Sequence, residues 1–307
     1  MTELTHQDLL EAGAHFGHLK RKWNPKMAPY IFMERGGIHI IDLNKTIVKA
    51  NEAAAAIKQI AKSGKKILFV ATKKQAKDIV ADSLQSVKMP FVTERWPGGM
   101  LTNFVTIRKA VKKMSSIDKI LSETENNINK KERLLLTREK SKLDRNFGSI
   151  NDLTRLPAAL FIVDITREKI AVAEAKKLNI PTFAIVDTNS DPTSVDFAIP
   201  ANDDTSKSIS IIMKKIVEAI EEGLAERKFD KEKMQDEKDD QLSDENLKIV
   251  PKSVEMIIDP EETAEDKAAR LRKTLKKDLD STDDKDSIDK DAKKPKKRIT
   301  PGLNKKK

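Results

Sequence analysis

Three unbroken apolar stretches punctuate the first two thirds of the chain. They span 66–71 (Lys-Ile-Leu-Phe-Val-Ala), 158–164 (Ala-Ala-Leu-Phe-Ile-Val-Asp) and 181–187 (Pro-Thr-Phe-Ala-Ile-Val-Asp). Shorter runs fall at 90–93 and 195–199. A strand with one wet face alternates apolar and polar positions, whereas a continuous run suits a strand covered on both faces, as in a parallel sheet. Helical patterns lie between several of these runs, at 43–61, 73–84 and 167–178. A last helix is predicted over 205–227, where Ile209, Ile212, Met213, Ile216 and Ile220 recur at helical spacing. Asp203 or Asp204 is placed to cap its start. Gly36-Gly37 reads as a tight turn ahead of a strand at 38–41. This alternation of strand and helix predicts a doubly wound α/β layer fold.

Residues 103–147 break the alternation. Ile107, Val111, Met114, Ile117 and Leu121 form a narrow stripe on a first helix. Ile128, Leu135, Leu136, Leu143 and Phe147 form another on a second, after a polar loop. Narrow stripes fit an antiparallel coiled-coil hairpin whose core is its own seam better than a helix lying on a sheet. The expected organisation is an α/β body over 1–102 and 148–228, the hairpin at 103–147 inserted into it, and a tail at 229–307.

The tail is set apart by composition. It holds 21 basic and 21 acidic residues and one aromatic, Phe229. A segment so charged buries too little apolar surface to offset the entropy of ordering it, so disorder is expected, with at most a transient helix at 262–279. Its Lys-rich end reads either as a solvated terminus or as a loose polyanion contact. The net charge of +10 over 307 residues therefore belongs to the body, and the hairpin, with 12 basic and 6 acidic residues, carries much of it.

The absence of cysteine excludes disulfides, thiol nucleophiles, iron–sulfur clusters and Cys-ligated zinc. No Gly-rich phosphate loop of the dinucleotide or P-loop kind occurs. The turn after the 66–71 run is Thr72-Lys73-Lys74, which lacks the glycines a pyrophosphate needs but sets two cations at a helix start, where an external phosphate is favoured. Asp187-Thr188-Asn189-Ser190-Asp191 opens like a calcium loop and then fails at Pro192 and Ala198. His15 and His18 are a weak metal signal without two further ligands near them in sequence, and packing or RNA contact accounts for them better. No Ser–His–Asp set can be placed on one face. No run is long and apolar enough for a membrane span, and 1–10 has no leader pattern, so export is not expected.

Two stretches combine cations with aromatic planes: Lys20-Arg21-Lys22-Trp23-Asn24-Pro25-Lys26, and Arg95-Trp96-Pro97-Gly98-Gly99-Met100-Leu101-Thr102-Asn103 ahead of the hairpin. Cations neutralise phosphates, while Arg and Trp planes stack on unpaired bases. Either stretch alone also fits a solvated loop with one core Trp.

At these residues the chain resembles the bacterial ribosomal protein S2 family. The resemblance rests on Leu9-Leu10-Glu11-Ala12-Gly13-Ala14-His15-Phe16-Gly17-His18, Trp23-Asn24-Pro25-Lys26-Met27 and Gly37-Ile38-His39-Ile40-Ile41-Asp42-Leu43. It continues through the 95–103 stretch, Pro157-Ala158-Ala159-Leu160-Phe161-Ile162-Val163-Asp164 with Glu174, then Ile185-Val186-Asp187-Thr188-Asn189-Ser190-Asp191-Pro192 and Pro200-Ala201-Asn202-Asp203-Asp204. It covers about 1–227; the tail is longer than the family leads one to expect. It implies a flavodoxin-like parallel sheet flanked by helices, with the hairpin inserted. It also implies binding to small-subunit rRNA near the junction of head and body, among neighbouring ribosomal proteins. One such neighbour is the large multi-OB-fold mRNA-binding protein.

The expectation is thus a cytoplasmic, ribosome-associated, non-enzymatic component of the small ribosomal subunit without cofactor. Candidate rRNA contacts are Arg21, Lys22, Trp23, Lys26, Lys73, Lys74, Arg95, Trp96, Arg108, Lys109, Lys112 and Lys113. The rival is a cytosolic nucleotide-binding enzyme using the sheet's C-terminal edge, with Asp164, Asp187 and Asn189 after their strands. A coiled-coil adaptor without RNA contact is a third reading.

Overall fold

A computed structural model describes the backbone of residues 4–123 and 129–248 and the side chains of 4–122 and 129–233. Ile128, the residues beyond 248 and the helix expected at 262–279 lie outside the described residues. Two units divide the chain, 1–239 and 240–307, and the second is described only through 248.

Within the first unit a short helix α1 (His6–Glu11) precedes an antiparallel sheet of β1 (Phe16–Leu19), β2 (Ile31–Arg35) and β3 (Ile38–Ile41), ordered β1-β3-β2. The β2–β3 turn is the predicted Gly36-Gly37, with φ of +62° and +77°. Two successive left-handed residues make the tight turn whose twist matches flanking antiparallel strands. Helix α2 (Leu43–Lys62) follows. Then come β4 (Ile67–Val70), α3 (Lys74–Gln85), β5 (Phe91–Val92), α4 (Phe104–Glu123), α5 (Lys130–Phe147), β6 (Ala159–Val163), α6 (Lys169–Lys177), β7 (Thr182–Val186), β8 (Phe197–Pro200) and α7 (Ser206–Lys248).

Strands β4 to β8 form one parallel sheet ordered β5-β4-β6-β7-β8. In order of appearance this is 2-1-3-4-5, a doubly wound order that reverses between β4 and β6. The apolar runs are continuous because both faces are covered. Ile67, Phe69, Phe161, Phe183 and Ile185 point to a core with Ala54, Ile57, Val80, Ile212, Met213 and Ile216 from α2, α3 and α7. Leu68, Val70, Leu160, Ile162, Ala184 and Val186 point the other way, onto Ala171, Val172 and Ala175 of α6. This is the two-residue alternation of a strand, filled with apolar side chains on both sides.

The hairpin departs from expectation at its base. Ile107, Val111 and Phe147 join the second core together with Trp96, Met100, Leu101 and the sheet residues Leu68 and Val70. Its first turns are therefore body core, and only beyond them does α4 pack on α5 alone, burying Met114 and Ile117. Leu135, expected in the seam, is 57% exposed, while its neighbour Leu136 is half-buried. Adjacent helical positions point about 100° apart, so only one can face the partner helix. Lys113–Glu139 and Lys140–Asp118 ion pairs link the two helices across the seam.

Two other boundaries differ. Asp203 and Asp204, expected to cap α7, turn their carboxylates to Lys73, and Asn202 orders the turn ahead of Ser206, its Oδ1 accepting from the backbone N–H of Asp204 at 2.8 Å and of Thr205 at 3.2 Å. The helix also runs on past 227 to Lys248, a stretch that contains no Pro or Gly. On its first-unit side Lys58 and Lys62 of α2 pair with Glu226 and Asp230 at 2.8 and 3.2 Å. Among the described residues, no helix is long and apolar enough to cross a membrane.

The hairpin's shared base gives a measurable contrast. Phe147→Ala opens a cavity under the sheet and should cost about 3–5 kcal/mol. Leu135→Ala, on an exposed position, should stay within about 0.5 kcal/mol of the parent. Urea unfolding of the two variants checks this; equal costs would mean the hairpin base is not part of the body core.

Candidate nucleic-acid interface

All five parallel strands deliver their following loops to one edge of the sheet, and the chemistry-bearing residues collect there. The first to be accounted for is Lys73, at the end of the loop after β4. It does not present its charge outward. Its Nζ lies 2.7 Å from Asp203 Oδ1, 2.7 Å from Asp204 Oδ1 and 3.6 Å from Asp164 Oδ2, and the residue is buried. Burial alone would lower the ammonium's pKa; the hydrogen bonds and charges of Asp203, Asp204 and Asp164 outweigh it and hold the pKa raised. A buried charge needs partners of opposite sign, and Lys73 has taken three. The phosphate-facing role expected for it is corrected on that ground, and Lys74, exposed on the first turn of α3, is left as the outward cation of the pair.

The same cluster receives the N-terminal sheet. His18 on β1 sets Nδ1 2.9 Å from Asp187 Oδ2 and Nε2 3.4 Å from Asp204 Oδ2. Contact with Asp187 raises the imidazole pKa, burial opposes, and Asp203 and Asp204 add to the rise. Asp203, wholly buried, is pushed up to about 7 by burial and by the charges of Asp187 and Asp164, against the pull of Lys73. The His18 backbone N–H donates to Thr188 Oγ1 at 2.8 Å, and that of Asn24 to the Thr188 carbonyl at 2.8 Å. Gly17 makes this approach possible: a Cβ there would stand 2.5 Å from Thr188 Cγ2.

A second hub holds the 95–103 stretch. The Glu174 carboxylate on α6 accepts from Trp96 Nε1 (3.2 Å) and from the backbone N–H groups of Gly99 (2.8 Å), Leu101 (2.9 Å) and Thr102 (3.0 Å). The Thr102 hydroxyl donates to it at 3.1 Å. Burial alone would raise its pKa; the donors from Thr102, Leu101, Gly99 and Trp96 win, and the pKa is lowered. Trp96 is consequently 6% exposed, with its N–H committed. It is a core residue that anchors the loop, which corrects the base-stacking role expected of it. Glu174 carries this arrangement; the sequence singled it out only through the family resemblance, not as the partner of the 95–103 stretch.

The other expected contacts fall into two groups. Arg21 and Lys22 are exposed on a 3-10 turn (Lys20–Lys22), Arg95 is exposed beside the Glu174 loop, and Lys109 and Lys112 are exposed on α4. None of these, nor Lys74, makes an ion pair among the described residues. The rest have protein partners. Lys26 Nζ binds Asp191 Oδ2 at 2.6 Å and Thr193 Oγ1 at 3.1 Å. Arg108 donates to the Leu153 carbonyl at 3.0 Å, and Lys113 pairs with Glu139. Trp23, half-buried, packs its ring 5.0 Å from that of His39.

The crevice where strand order reverses, which in this topology receives small ligands, is filled by the protein itself. Thr72 hydrogen-bonds Glu168, Arg167 Nε donates to Thr72 Oγ1 at 3.0 Å, and Asp164 Oδ1 accepts from the backbone of Thr166 and Arg167. Asp164 and Asp187, offered as enzyme groups by the rival reading, are tied to Lys73 and His18 instead.

The fold and this edge define an α/β scaffold whose polar groups position loops and cations. Comparison with known proteins agrees. Residues 9–223 match the family model described as Ribosomal protein S2, and the chain belongs to that family. It is 64% identical over 236 residues to the small ribosomal subunit protein uS2 of Phocaeicola vulgatus, covering 76% of this chain and 85% of the relative. The uS2 proteins of Bacteroides thetaiotaomicron (65% over 232 residues; 75% and 84%) and Flavobacterium johnsoniae (65% over 227 residues; 74% and 89%) are similar to the same extent. These relatives are named as ribosomal proteins, not as enzymes.

Glu174 provides the test of the loop architecture. Glu174→Gln substitutes an NH₂ group for one acceptor oxygen and sets it against N–H donors, so it should cost about 2–4 kcal/mol. Because the folded pKa is depressed, the native Glu stabilises fully above the unfolded value of about 4.3, and that contribution is lost as pH falls through the folded pKa. The stability gap between parent and variant should therefore be widest near neutrality and narrow below about pH 4. Thermal melts across pH 3–7 decide; a gap independent of pH would remove the charge from the explanation.

Proposed function

We propose that the chain is a structural constituent of the small ribosomal subunit, held in the cytoplasmic ribosome by small-subunit rRNA near the head–body junction. Membership of the S2 family supports the reading, as does the 2-1-3-4-5 strand order, which fits the flavodoxin-like assignment. The observation that carries the RNA contact is the division of labour among cations. The body satisfies Lys73, Lys26, Arg108 and Lys113 internally, and keeps Arg21, Lys22, Lys74, Arg95, Lys109 and Lys112 exposed and unpaired among the described residues. Exposed cations on rigid supports neutralise phosphates without first breaking an internal pair. The outer hairpin, which we read as an antiparallel coiled-coil arm, adds exposed apolar positions, Leu134 and Leu135, suited to a protein neighbour. The large multi-OB-fold mRNA-binding protein is the neighbour we assign to this region of the particle.

Arg21→Ala with Lys22→Ala should leave the melting temperature within about 2 °C and weaken binding to small-subunit rRNA. Its log–log salt slope should flatten by roughly 0.7–0.9 per lost contact. Lys73→Met should do the reverse: strong destabilisation from the stranded carboxylates, and no change of slope in whatever protein folds. Filter binding between 50 and 300 mM salt separates the cases, and an unchanged slope in the Arg21/Lys22 variant sinks the contact. A chain whose hairpin is shortened by replacing residues 115–137 with a Gly-Ser turn keeps the shared base. It should fold, yet enter small subunits poorly in a sucrose gradient.

A further inference from the structure

The two tryptophans of this chain are used in opposite ways. Trp96 is buried, with its N–H committed to Glu174. Trp23 is half-buried, and its indole N–H donates to nothing among the described residues. The segment that carries it is nonetheless fixed at both ends. The Lys20 backbone N–H donates to the Gly37 carbonyl at 2.9 Å, and that of Asn24 to the Thr188 carbonyl at 2.8 Å. Between these anchors the side chains of Arg21, Lys22 and Trp23 make no hydrogen bond or ion pair among the described residues. The outer cations of the segment do: Lys20 pairs with Glu34 at 2.7 Å, and Lys26 with Asp191 at 2.6 Å. These pairs use up Glu34 and Asp191 and leave Arg21 and Lys22 as the free charge beside the indole.

His39 stands behind that indole. It lies on β3, the central strand of the N-terminal sheet, and is 7% exposed. Its ring centroid is 5.0 Å from that of Trp23, with the planes tilted by 44°. Neither ring nitrogen has a hydrogen-bond partner. A buried polar group left unsatisfied is costly, and native structures leave few of them unexplained. Packed this way the imidazole works as a flat wall rather than as a donor or acceptor. The register that sets Glu34 opposite His39 fixes where the wall stands.

We propose that His39 is a positioning residue that holds Trp23 as a stacking platform for one unpaired nucleotide of RNA, with Arg21 and Lys22 on the phosphates beside it. The inference rests on the rRNA reading above and narrows it to one class of RNA structure. Inside a duplex a base shows only its edges. A bulged or looped-out base offers its face, and that face stacks on an aromatic plane. The indole N–H is a donor with no acceptor of its own, suited to a phosphate or sugar oxygen next to the stacked base. Cations alone bind any polyanion; the ring adds the demand that the RNA be unpaired at one position. The sequence shows Trp23 among its cations but hides His39, which the β2–β3 hairpin brings behind it.

The test uses the full chain, small-subunit rRNA and the variants Trp23→Leu, Trp23→Phe, His39→Ala and His39→Phe, each first checked for a cooperative melt. Trp23→Leu should weaken binding about 5- to 100-fold with no change in the log–log salt slope, the opposite signature to the Arg21/Lys22 variant. Trp23→Phe, which keeps a ring, should recover most of the loss. His39→Ala should weaken binding, while His39→Phe binds as the parent does, since the wall needs no nitrogen. Where His39→Ala does not fold, His39→Phe and the two Trp23 variants still decide. Acrylamide quenching reads Trp23 directly, because Trp96 is buried. An oligoadenylate should shield Trp23, and a blunt RNA duplex should leave it accessible. Parent-like affinity in Trp23→Leu overturns the platform and leaves the rRNA reading standing; a parent that fails to bind rRNA takes down both. Loss of binding in His39→Phe overturns the positioning role, and equal shielding by duplex and single strand overturns the unpaired nucleotide. Shielding in assembled subunits but not by rRNA assigns the ring to a protein neighbour and overturns the proposal.

Discussion

Burying the Lys73 ammonium constrains more of this structure than any other single contact. A charge taken out of water costs several kcal/mol unless oppositely charged groups surround it. The groups that meet Lys73 come from the ends of β6 and β8 and from the approach to α7. The loops that leave the sheet are therefore fixed to each other by electrostatics, not merely by the packing beneath them. Asp203 and Asp204 give their carboxylates to Lys73, and Asn202 orders the turn that leads into α7. His18, reaching Asp187 and Asp204, extends the same network into the N-terminal sheet. That sheet has only small contributions to the main cores, with Met27 in one and partly buried Tyr30 and Ile31 packed against it, so its position rests heavily on these polar links.

Glu174 applies the same logic to the other half of the edge. One carboxylate satisfies the backbone donors of three residues, and so removes the freedom of a Gly-rich loop that would otherwise be mobile. The entropy of ordering that loop is met inside the protein rather than at the moment of RNA binding. Arg95 thereby stands on a rigid support although its own side chain is exposed. Internal carboxylates serve here as positioning devices for cations they do not touch.

Much of the architecture was legible in the chain. The apolar runs located β4, β6 and β7, because a strand packed on both faces has no polar positions to hide among. Gly36-Gly37 located a turn because few other residues take two successive left-handed conformations. The edge was less legible. Lys73 and Trp96 look like RNA contacts beside their neighbours, and the groups that claim them lie 130 and 78 residues away. Leu135 and Leu136 are equally apolar, and only the phase of α5 against α4 distinguishes them. Beyond its first turns the hairpin buries Met114 and Ile117 of the expected stripe but leaves Leu135 exposed. Its base escaped because Ile107 and Phe147 serve the body core at the same spacing that would serve a seam. Local pattern reports what a residue is fitted to face; it does not report which distant residue arrives there.

This bears on how a basic protein keeps specificity. A net charge of +10 attracts any polyanion, and attraction of that kind carries no geometric information. Geometry enters when some cations are withdrawn. Lys73, Lys26, Arg108 and Lys113 bind the protein to itself, and each such pairing subtracts a charge from the surface while fixing a segment that holds another cation in place. Lys26, tied to Asp191, holds the 3-10 segment Pro25–Tyr30 that follows Arg21 and Lys22; Lys113, tied to Glu139, steadies the helix that bears Lys109 and Lys112. The paired and unpaired cations are thus one system. Removing an unpaired one takes away a surface charge and leaves the rest aligned. Removing a paired one leaves the surface charge almost unchanged but loosens the frame, so its cost falls on orientation and stability rather than on the salt dependence of binding. The pattern of exposed charge is meaningful only because the buried pattern holds it still.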